Sequence, residues 1–348
     1  MEQPQCRDHN ISLGARVNST DVSKIKRGRD VSTIKGLIDE YIESYAKPQK
    51  TSWHSDLRML NKDVLPKWKY LATAHVTPRD VTKLMHRLIA QGSGTSVNKI
   101  LNLLQSVFAF AVSQGLIDTD PCAGLSAPIE TSSKDRVFNK DEVKKFWHGL
   151  KNAKMPEGMK LSLKLILLTG QRNGEVVGSK WEEFDLREKW WTIPPTRTKN
   201  KKKHRVYLTK MTLDVLQEAK KIGAGSDWVF PSSKEKPISS REVSRAIKNN
   251  CENKSKGQSK QKQPYGDAFN IGLFTPNDLR RTTANLMAKA GMDASRIANV
   301  LNQSTATLEN VNVNDSQKRQ SLIVWERQLQ TLLFSWVKPR SASASTNK

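Results

Sequence analysis

The chain has 348 residues, enough for two ordinary domains with tails. Its 58 Lys and Arg residues outnumber its 34 Asp and Glu residues, which gives a formal net charge of +24. No apolar run is long enough for a transmembrane helix, the N-terminus lacks the apolar segment of a secretory signal, and three scattered cysteines do not suit a disulfide framework or a zinc site. These features predict a cytoplasmic protein with a polyanionic partner, most simply nucleic acid.

The first third of the chain is predicted to be helical. Residues 1–30 show no sustained hydrophobic period and are predicted to form a basic tail. Apolar residues at helical spacing then predict four helices, which begin near Val31, Ser52, Thr77 and Ser96. We expect Pro48 to end the first helix and the second to stop before Pro66. The four helices predict a self-contained helical domain over residues 31–125.

A polar segment without periodicity, residues 126–136, is predicted to be a linker to a second domain over residues 137–335. The second domain is predicted to hold a buried helix around 159–168, two strands at 190–193 and 205–208 joined by a cationic loop, and three further helices after residue 275. Residues 248–263 read as an exposed basic loop, and residues 336–348 as a disordered tail. The predicted fold is mainly α with a small antiparallel β-sheet.

Four sequence blocks, in their order and spacing, resemble the catalytic domain of the tyrosine recombinases, the phage integrases. The blocks are LLTGQRNGEV at 167–176, RTKNKKKHRVYL at 197–208, WVFPS at 228–232 and PNDLRRT at 276–282. The preceding residues 31–124, which end in GLIDTDPCAGL, resemble the helical core-binding domain of that family. The resemblance implies a SAM-like core-binding domain followed by an α+β catalytic-type domain. Family members attack a DNA phosphodiester with a tyrosine hydroxyl, and this chemistry needs no metal or organic cofactor.

The resemblance also implies roles for individual residues. Arg172 matches the first phosphate-binding arginine of the family, and Glu175 matches the acidic residue that orients it. Arg280 matches the second arginine, and Lys199 stands where the family keeps a lysine that protonates the leaving 5′-oxygen. Such cations stabilise the negative charge of the transition state, and the planar arginine fork suits two phosphate oxygens. One of three nearby lysines could take this role instead of Lys199: Lys201, Lys202 or Lys203.

Three positions depart from the family pattern. Asn277 and Gln303 stand where the family has its two histidines, and Asn312 stands where it has the nucleophilic tyrosine. No tyrosine or histidine occurs from Gly266 to Lys348, so no shift of register restores the site. A carboxamide donates hydrogen bonds, but it neither exchanges protons near neutral pH nor forms a phosphotyrosyl bond.

We therefore predict a DNA-binding protein of the integrase family that does not cleave DNA. One alternative is an active recombinase that uses a nearby hydroxyl, although an alkoxide is far less accessible than a phenolate; the candidates are Ser304, Thr305, Thr307 and Ser316. A second alternative is a decayed relic.

Double-stranded DNA is the predicted partner, together with further copies of the chain up to a tetramer, or an active relative. The predicted DNA contacts are Lys201, Lys202, Lys203, Arg205 and Arg281, and solvated charge is their alternative reading. No membrane, metal or cofactor is expected.

Overall fold

The structure, a computed structural model, describes residues 32–50, 52–130, 135–223, 225–251, 267–303 and 315–334. It divides the chain between residues 133 and 134 into two compact units, each with its own apolar core. The predicted tails at 1–30 and 336–348 lie outside the described residues. The predicted fold class is confirmed, because helices dominate and the strands form small antiparallel sheets. Within the described ranges, no helix has the length and apolarity to cross a membrane.

Two of the four helices of the first unit contain a π-helical turn. Helix α1 is α-helical over Ile34–Glu40, π-helical over Tyr41–Ala46 and α-helical again over Lys47–Gln49. Helix α2 repeats this order, and its three parts are Trp53–Met59, Leu60–Val64 and Leu65–Trp68. In both helices the last turn carries a proline.

The first helix therefore ends one residue after Pro48, close to the prediction, whereas the prediction that the second helix stops before Pro66 was wrong, because that helix continues to Trp68. Pro48 and Pro66 each lie inside a final α-helical turn that directly follows the π-helical turn. In α1, the N–H of Lys47 reaches back five residues to the carbonyl of Ile42. This wider hydrogen-bond spacing relaxes the turn in which a proline would otherwise clash and lack a donor. Both helices consequently continue past the proline.

The remaining helices of the first unit begin where they were predicted. Helix α3 spans Pro78–Ala90, and α4 spans Ser96–Ser113. Thr77 caps α3: its hydroxyl accepts the Asp80 N–H at 3.3 Å, while the Asp80 carboxylate accepts the Thr77 N–H at 3.1 Å. The apolar faces of all four helices form the core, which includes Leu37, Tyr41, Leu60, Val81, Leu84, Ile100, Leu104 and Phe108.

The start of the predicted linker is held on the first unit. The Asn98 side chain accepts the backbone N–H of Ile129 at 3.2 Å and donates to its carbonyl at 2.6 Å. Residues 126–130 therefore follow the surface of the first unit, and residues 131–134 lie outside the described part.

The second unit is built around one buried helix. Its helices are α5 (Lys140–Gly149), α6 (Glu157–Thr169), α7 (Asn173–Val177), α8 (Lys210–Ile222), α9 (Ser240–Asn249), α10 (Pro276–Lys289), α11 (Ala294–Val300) and α12 (Asp315–Phe334). Helix α6 packs against α8 on one side and α10 on another, as its continuous apolar run predicts.

The loop predicted over residues 248–263 is corrected at its start. Lys248 and Asn249 form the last turn of α9, because Val243 and Ile247 continue a short apolar stripe into the core. The next two residues are buried rather than exposed, and residues 252–266 lie outside the described part.

Three short strands form an antiparallel sheet in the order β1-β2-β3. Strand β2 (Trp190–Ile193) pairs with β3 (His204–Tyr207), so β3 begins one residue earlier than predicted and ends one residue earlier. The short β1 (Phe184–Asp185) was not predicted, since two residues show no period. A second pair, β4 (Pro231–Ser233) and β5 (Lys236–Pro237), follows α8.

Candidate phosphate-binding site

Two arginines converge on the two-residue turn that follows α11. The guanidinium of Arg172 donates from Nη2 to the carbonyl oxygen of Asn302 at 3.1 Å. The guanidinium of Arg280 donates from Nη2 to the carbonyl oxygen of Leu301 at 2.6 Å. The fold thus brings together, at adjacent carbonyls, the two arginines that the resemblance assigns to phosphate binding.

Arg172 is fixed by a carboxylate at the start of α7. Arg172 is the N-cap residue, and Glu175 accepts both its backbone N–H at 3.0 Å and its Nη1 at 2.9 Å. Glu175 is only 4% exposed, so this ion pair is largely shielded from solvent. Arg197 supports the same turn, because it donates to the Glu175 carbonyl and pairs with Glu183. The Arg172 side chain consequently has a defined direction.

Arg280 is buried among main-chain carbonyls. It is 5% exposed, and its Nη1 donates to the carbonyl of Gly170 at 2.9 Å. Gly170 adopts a left-handed φ of +67°, and a Cβ there would lie 2.5 Å from the Leu301 side chain, so glycine is required at this approach. Burial, and then the nearby charge of Arg172, lower the pKa of Arg280 to about 10, which still leaves the group protonated at neutral pH.

The two guanidiniums keep donors for a further ligand. Each carries five N–H donors, and the hydrogen bonds to described residues use two atoms of each group. In the described part of the chain Arg280 has no ion pair, and Glu175 is the carboxylate paired with Arg172. The site therefore carries excess positive charge in a partly desolvated place, which favours binding of a phosphate-like anion.

Helix α10 presents its first turn beside this pair. Thr275 and Asp278 form a capping box, in which the Asp278 carboxylate accepts the Thr275 N–H at 2.8 Å and its hydroxyl at 2.9 Å. Asn277 lies exposed on this turn. Arg281 pairs with Asp278 at 3.2 Å and with Asp135 at 3.5 Å. Arg281 was predicted to contact DNA, and here it belongs to internal ion pairs while remaining partly exposed.

The lysines of the β2–β3 loop are exposed, but the loop has internal structure. The exposed side chains are those of Lys199, Lys201, Lys202 and Lys203. The Thr198 hydroxyl donates to the Lys202 carbonyl at 2.8 Å, and Asn200 donates to the side chain of Asn302 at 2.6 Å. The loop is thus attached to the turn that both arginines contact.

Arg205 differs from these lysines. It forms an ion pair with Asp315 at the start of α12, and its guanidinium lies 4.3 Å from the centre of the Trp190 ring. Cation–π contact and ion pairing hold it against β2. The structure therefore gives this predicted DNA contact a role in joining α12 to the sheet.

Sequence reasoning missed His204, which is 2% exposed next to the arginine pair. Its ring is hydrogen-bonded to the Val300 carbonyl, and its Nε2 has no partner among the described residues. Burial, followed by the positive charge of Lys318, lowers its pKa to about 3; Arg280 and Arg172 act in the same direction. The imidazole is therefore neutral at physiological pH. No spacing in the sequence marked this histidine, because the groups around it come from distant segments of the chain.

The remaining predicted positions fall at or beyond the edge of the described residues. Gln303 is exposed at the end of the described segment. Asn312 and the hydroxyl candidates Ser304, Thr305 and Thr307 lie outside the described residues. Ser316 is exposed in the first turn of α12.

Comparison with known proteins settles the family. The model of the phage integrase family matches residues 136–310, and the model of the phage integrase central domain matches residues 35–128. The chain belongs to the phage integrase family. This membership confirms the family predicted from the four sequence blocks.

The similar proteins include integrases of prophages and phages. Prophage integrase IntA of Escherichia coli K12 is 25% identical over 195 residues, which cover 55% of this chain and 47% of the relative. The integrase of Escherichia phage HK022 is 23% identical over 275 residues, which cover 76% of this chain and 71% of the relative. The chain spans about half the length of the first curated relatives it matches.

Solved structures show the same fold. A lambda integrase dimer bound to a COC′ core site aligns with a TM-score of 0.60 at 19% identity, covering 81% of this chain and 99% of that chain. A lambda integrase tetramer bound to a Holliday junction aligns with a TM-score of 0.61 at 18% identity, covering 86% of each. These similarities confirm the architecture of a core-binding domain followed by a catalytic-type domain.

Proposed function

We propose that this member of the phage integrase family binds duplex DNA and holds a backbone phosphate between Arg172 and Arg280 without cleaving the strand. The observation that carries the proposal is the pair of guanidiniums fixed by main-chain carbonyls. Arg280 in particular is buried without an ion-pair partner among the described residues. A buried cation without a counter-ion is unfavourable, and a DNA phosphate would supply the missing charge.

The proposed lack of cleavage rests on the residues at the reacting positions. Asn312 stands where the resemblance places the nucleophile, and no tyrosine follows Tyr265 in the sequence. Asn277 and Gln303 replace the groups that exchange protons. His204 does not substitute for them at neutral pH, because it is buried and its pKa is about 3.

In this proposal the chain occupies recombination sites of a mobile element and blocks or recruits an active relative. It acts in the cytoplasm of a bacterial host, on the nucleoid, and assembles on DNA with further copies up to a tetramer. The dimeric and tetrameric DNA complexes of lambda integrase support DNA as the partner and support self-association. Release of counterions by the hairpin lysines adds affinity that is independent of sequence.

The test is recovery of fragmented host and element DNA by the purified protein at about 150 mM salt, followed by sequencing of the bound fragments. We expect enrichment of a few discrete sites. The Arg172→Ala variant should recover far less DNA, while Arg296→Ala, which removes an exposed arginine of α11, should recover as much as the unaltered protein. Equal recovery of all fragments would favour a relic with only electrostatic affinity, and no recovery would refute DNA binding.

A further inference from the structure

We propose that Asn302 is a positioning residue that ties the cationic β2–β3 loop to the arginine pair through Asn200, and so presents Lys199 to the same phosphate. The inference rests on the proposed DNA binding and adds a residue to which the family resemblance gives no role in this chain. Three observations carry it: a reciprocal side-chain pair, the backbone of the turn, and the internal hydrogen bonds of the loop.

The two amides form a reciprocal pair. Asn200 Nδ2 donates to Asn302 Oδ1 at 2.6 Å, and Asn302 Nδ2 donates back to Asn200 Oδ1 at 3.3 Å. Both side chains are short, and both are partly buried. Two bonds in opposite directions fix the mutual orientation of the amides as well as their separation. In the described part of the chain, the side-chain hydrogen bonds that join loop residues 199–203 to residues outside the hairpin run through Asn200.

The backbone of Asn302 serves the arginines at the same time. Its φ of +51° lies in the left-handed region, which asparagine tolerates better than most residues. This conformation leaves its carbonyl to accept from Arg172 Nη2, and the carbonyl of Leu301 to accept from Arg280 Nη2. One turn therefore holds both guanidiniums through its main chain and the lysine loop through a side chain.

Holding Asn200 also holds its neighbours. The Asn200 side-chain oxygen accepts the backbone N–H of Lys202 at 3.3 Å, and the Lys202 carbonyl accepts the Thr198 hydroxyl. Lys199 lies inside this hydrogen-bonded turn. A lysine on an ordered loop loses less conformational freedom when it meets a phosphate, so the tether increases affinity without contacting DNA.

The experiment compares duplex affinity across a range of salt concentrations. Asn302→Gly removes the amide but keeps a residue suited to the left-handed backbone, and Asn200→Ala removes the other half of the pair. We expect each to weaken binding roughly three- to tenfold, the range for one additional side chain that must be ordered. Lys199→Ala should lose at least as much and reduce the salt slope by about 0.9.

The combined variant decides the mechanism. If the tether acts through Lys199, Asn302→Gly should add little to Lys199→Ala. The matched control is Asn270→Gly, since Asn270 is exposed and has a similar left-handed φ of +50°; it should bind like the unaltered protein. Full additivity of the two losses, or unaltered binding by Asn302→Gly, would overturn the proposal.

Hydrogen exchange separates this inference from the proposed function. In the protein without DNA, Asn302→Gly should accelerate amide exchange in residues 199–203, whereas Asn270→Gly should not. Unchanged exchange in the loop would refute the tether, whatever the DNA result. Absence of DNA binding by the unaltered protein, together with faster loop exchange in the variant, would instead refute the proposed function and the positioning role that rests on it.

Discussion

The arginine pair and the loop lysines are both cationic, yet the fold holds them in opposite ways. Arg280 is 5% exposed and fixed by the carbonyls of Gly170 and Leu301. The side chain of Lys199 is exposed, as are those of the lysines at 201–203. Buried and oriented donors recognise one phosphate at one position, whereas exposed lysines contribute affinity that depends strongly on salt. In the proposed complex, the arginine pair determines where a phosphate binds and the loop lysines determine how tightly the DNA is held.

The largest expected effect comes from removing the buried member of the pair. Arg280→Ala leaves the carbonyls of Gly170 and Leu301 without their donor, so we expect the free energy of unfolding to fall by about 2–4 kcal/mol. DNA affinity should fall as well. Urea unfolding and duplex titration measure the two effects.

Two further variants show whether geometry or charge is responsible for these losses. Arg280→Lys should recover only part of the affinity, because an ammonium cannot reproduce the fork. Arg296 lies on the exposed surface of α11, so the free energy of unfolding of Arg296→Ala should stay within about 0.5 kcal/mol of that of the unaltered protein. If Arg280→Ala bound the duplex with unchanged affinity, the assignment of Arg280 to the phosphate would be contradicted.

The next effect concerns pH, because His204 is buried and neutral among cations. Its pKa is about 3 in the folded protein and about 6.5 when unfolded. The unfolded chain therefore binds more protons between these values, and stability contributed by this group is lost as the pH falls through that window. Between about pH 7 and about pH 5, the loss from this one group is about 2 kcal/mol.

Urea unfolding at both pH values measures this loss. His204→Gln, which keeps a donor for the Val300 carbonyl, should lose about 2 kcal/mol less than the unaltered protein over the same interval. His148→Gln, at an exposed position on α5, serves as the control. Equal pH dependence in the unaltered protein and His204→Gln would show that His204 is not held neutral.

The smallest effect on stability, and the clearest effect on salt dependence, is expected from the loop. Replacing Lys201, Lys202 and Lys203 by Ala should leave the unfolding free energy within about 0.5 kcal/mol, since all three are exposed. If each contacts a phosphate, the slope of log affinity against log salt should fall by about 2.7. An equal loss of charge on α8, through replacement of Lys210, Lys220 and Lys221, should change the slope less. Equal slopes for both triple variants would show that the loop is not a specific DNA contact.

Local sequence signals predicted the fold where the stabilising contacts are themselves local. Thr77 and Thr275 begin the same Thr-Pro-x-Asp motif, and both form capping boxes at the predicted helix starts. Helices α5, α7, α8 and α9 were not predicted. On α9 only Val243 and Ile247 are buried, and two residues do not define a period. The prolines of α1 and α2 were poor guides to the helix ends, because a π-helical turn precedes each final turn.

Sequence reasoning named the two arginines of the candidate site but not most of the contacts that hold them. The pattern around Arg172 predicted the Glu175 contact, which spans three residues. The convergence of both arginines on Leu301 and Asn302 depends on packing between distant segments, and no sequence spacing encodes it. Arg205 pairs with Asp315, and Arg281 pairs with Asp135. Both partners are remote in sequence from their arginines, so no local pattern predicts these contacts. His204 was overlooked for the same reason.

The central claim, DNA binding without strand cleavage, is tested most directly by a denaturing gel for covalent protein–DNA adducts. The substrate is a duplex carrying a site enriched in the recovery experiment, with a nick placed to trap a covalent intermediate. The unaltered protein should bind this duplex and yield no covalent band, and the triple variant Asn277→His, Gln303→His, Asn312→Tyr provides the comparison with a restored nucleophile. A covalent band from the unaltered protein would contradict the account and establish an active recombinase with a different nucleophile.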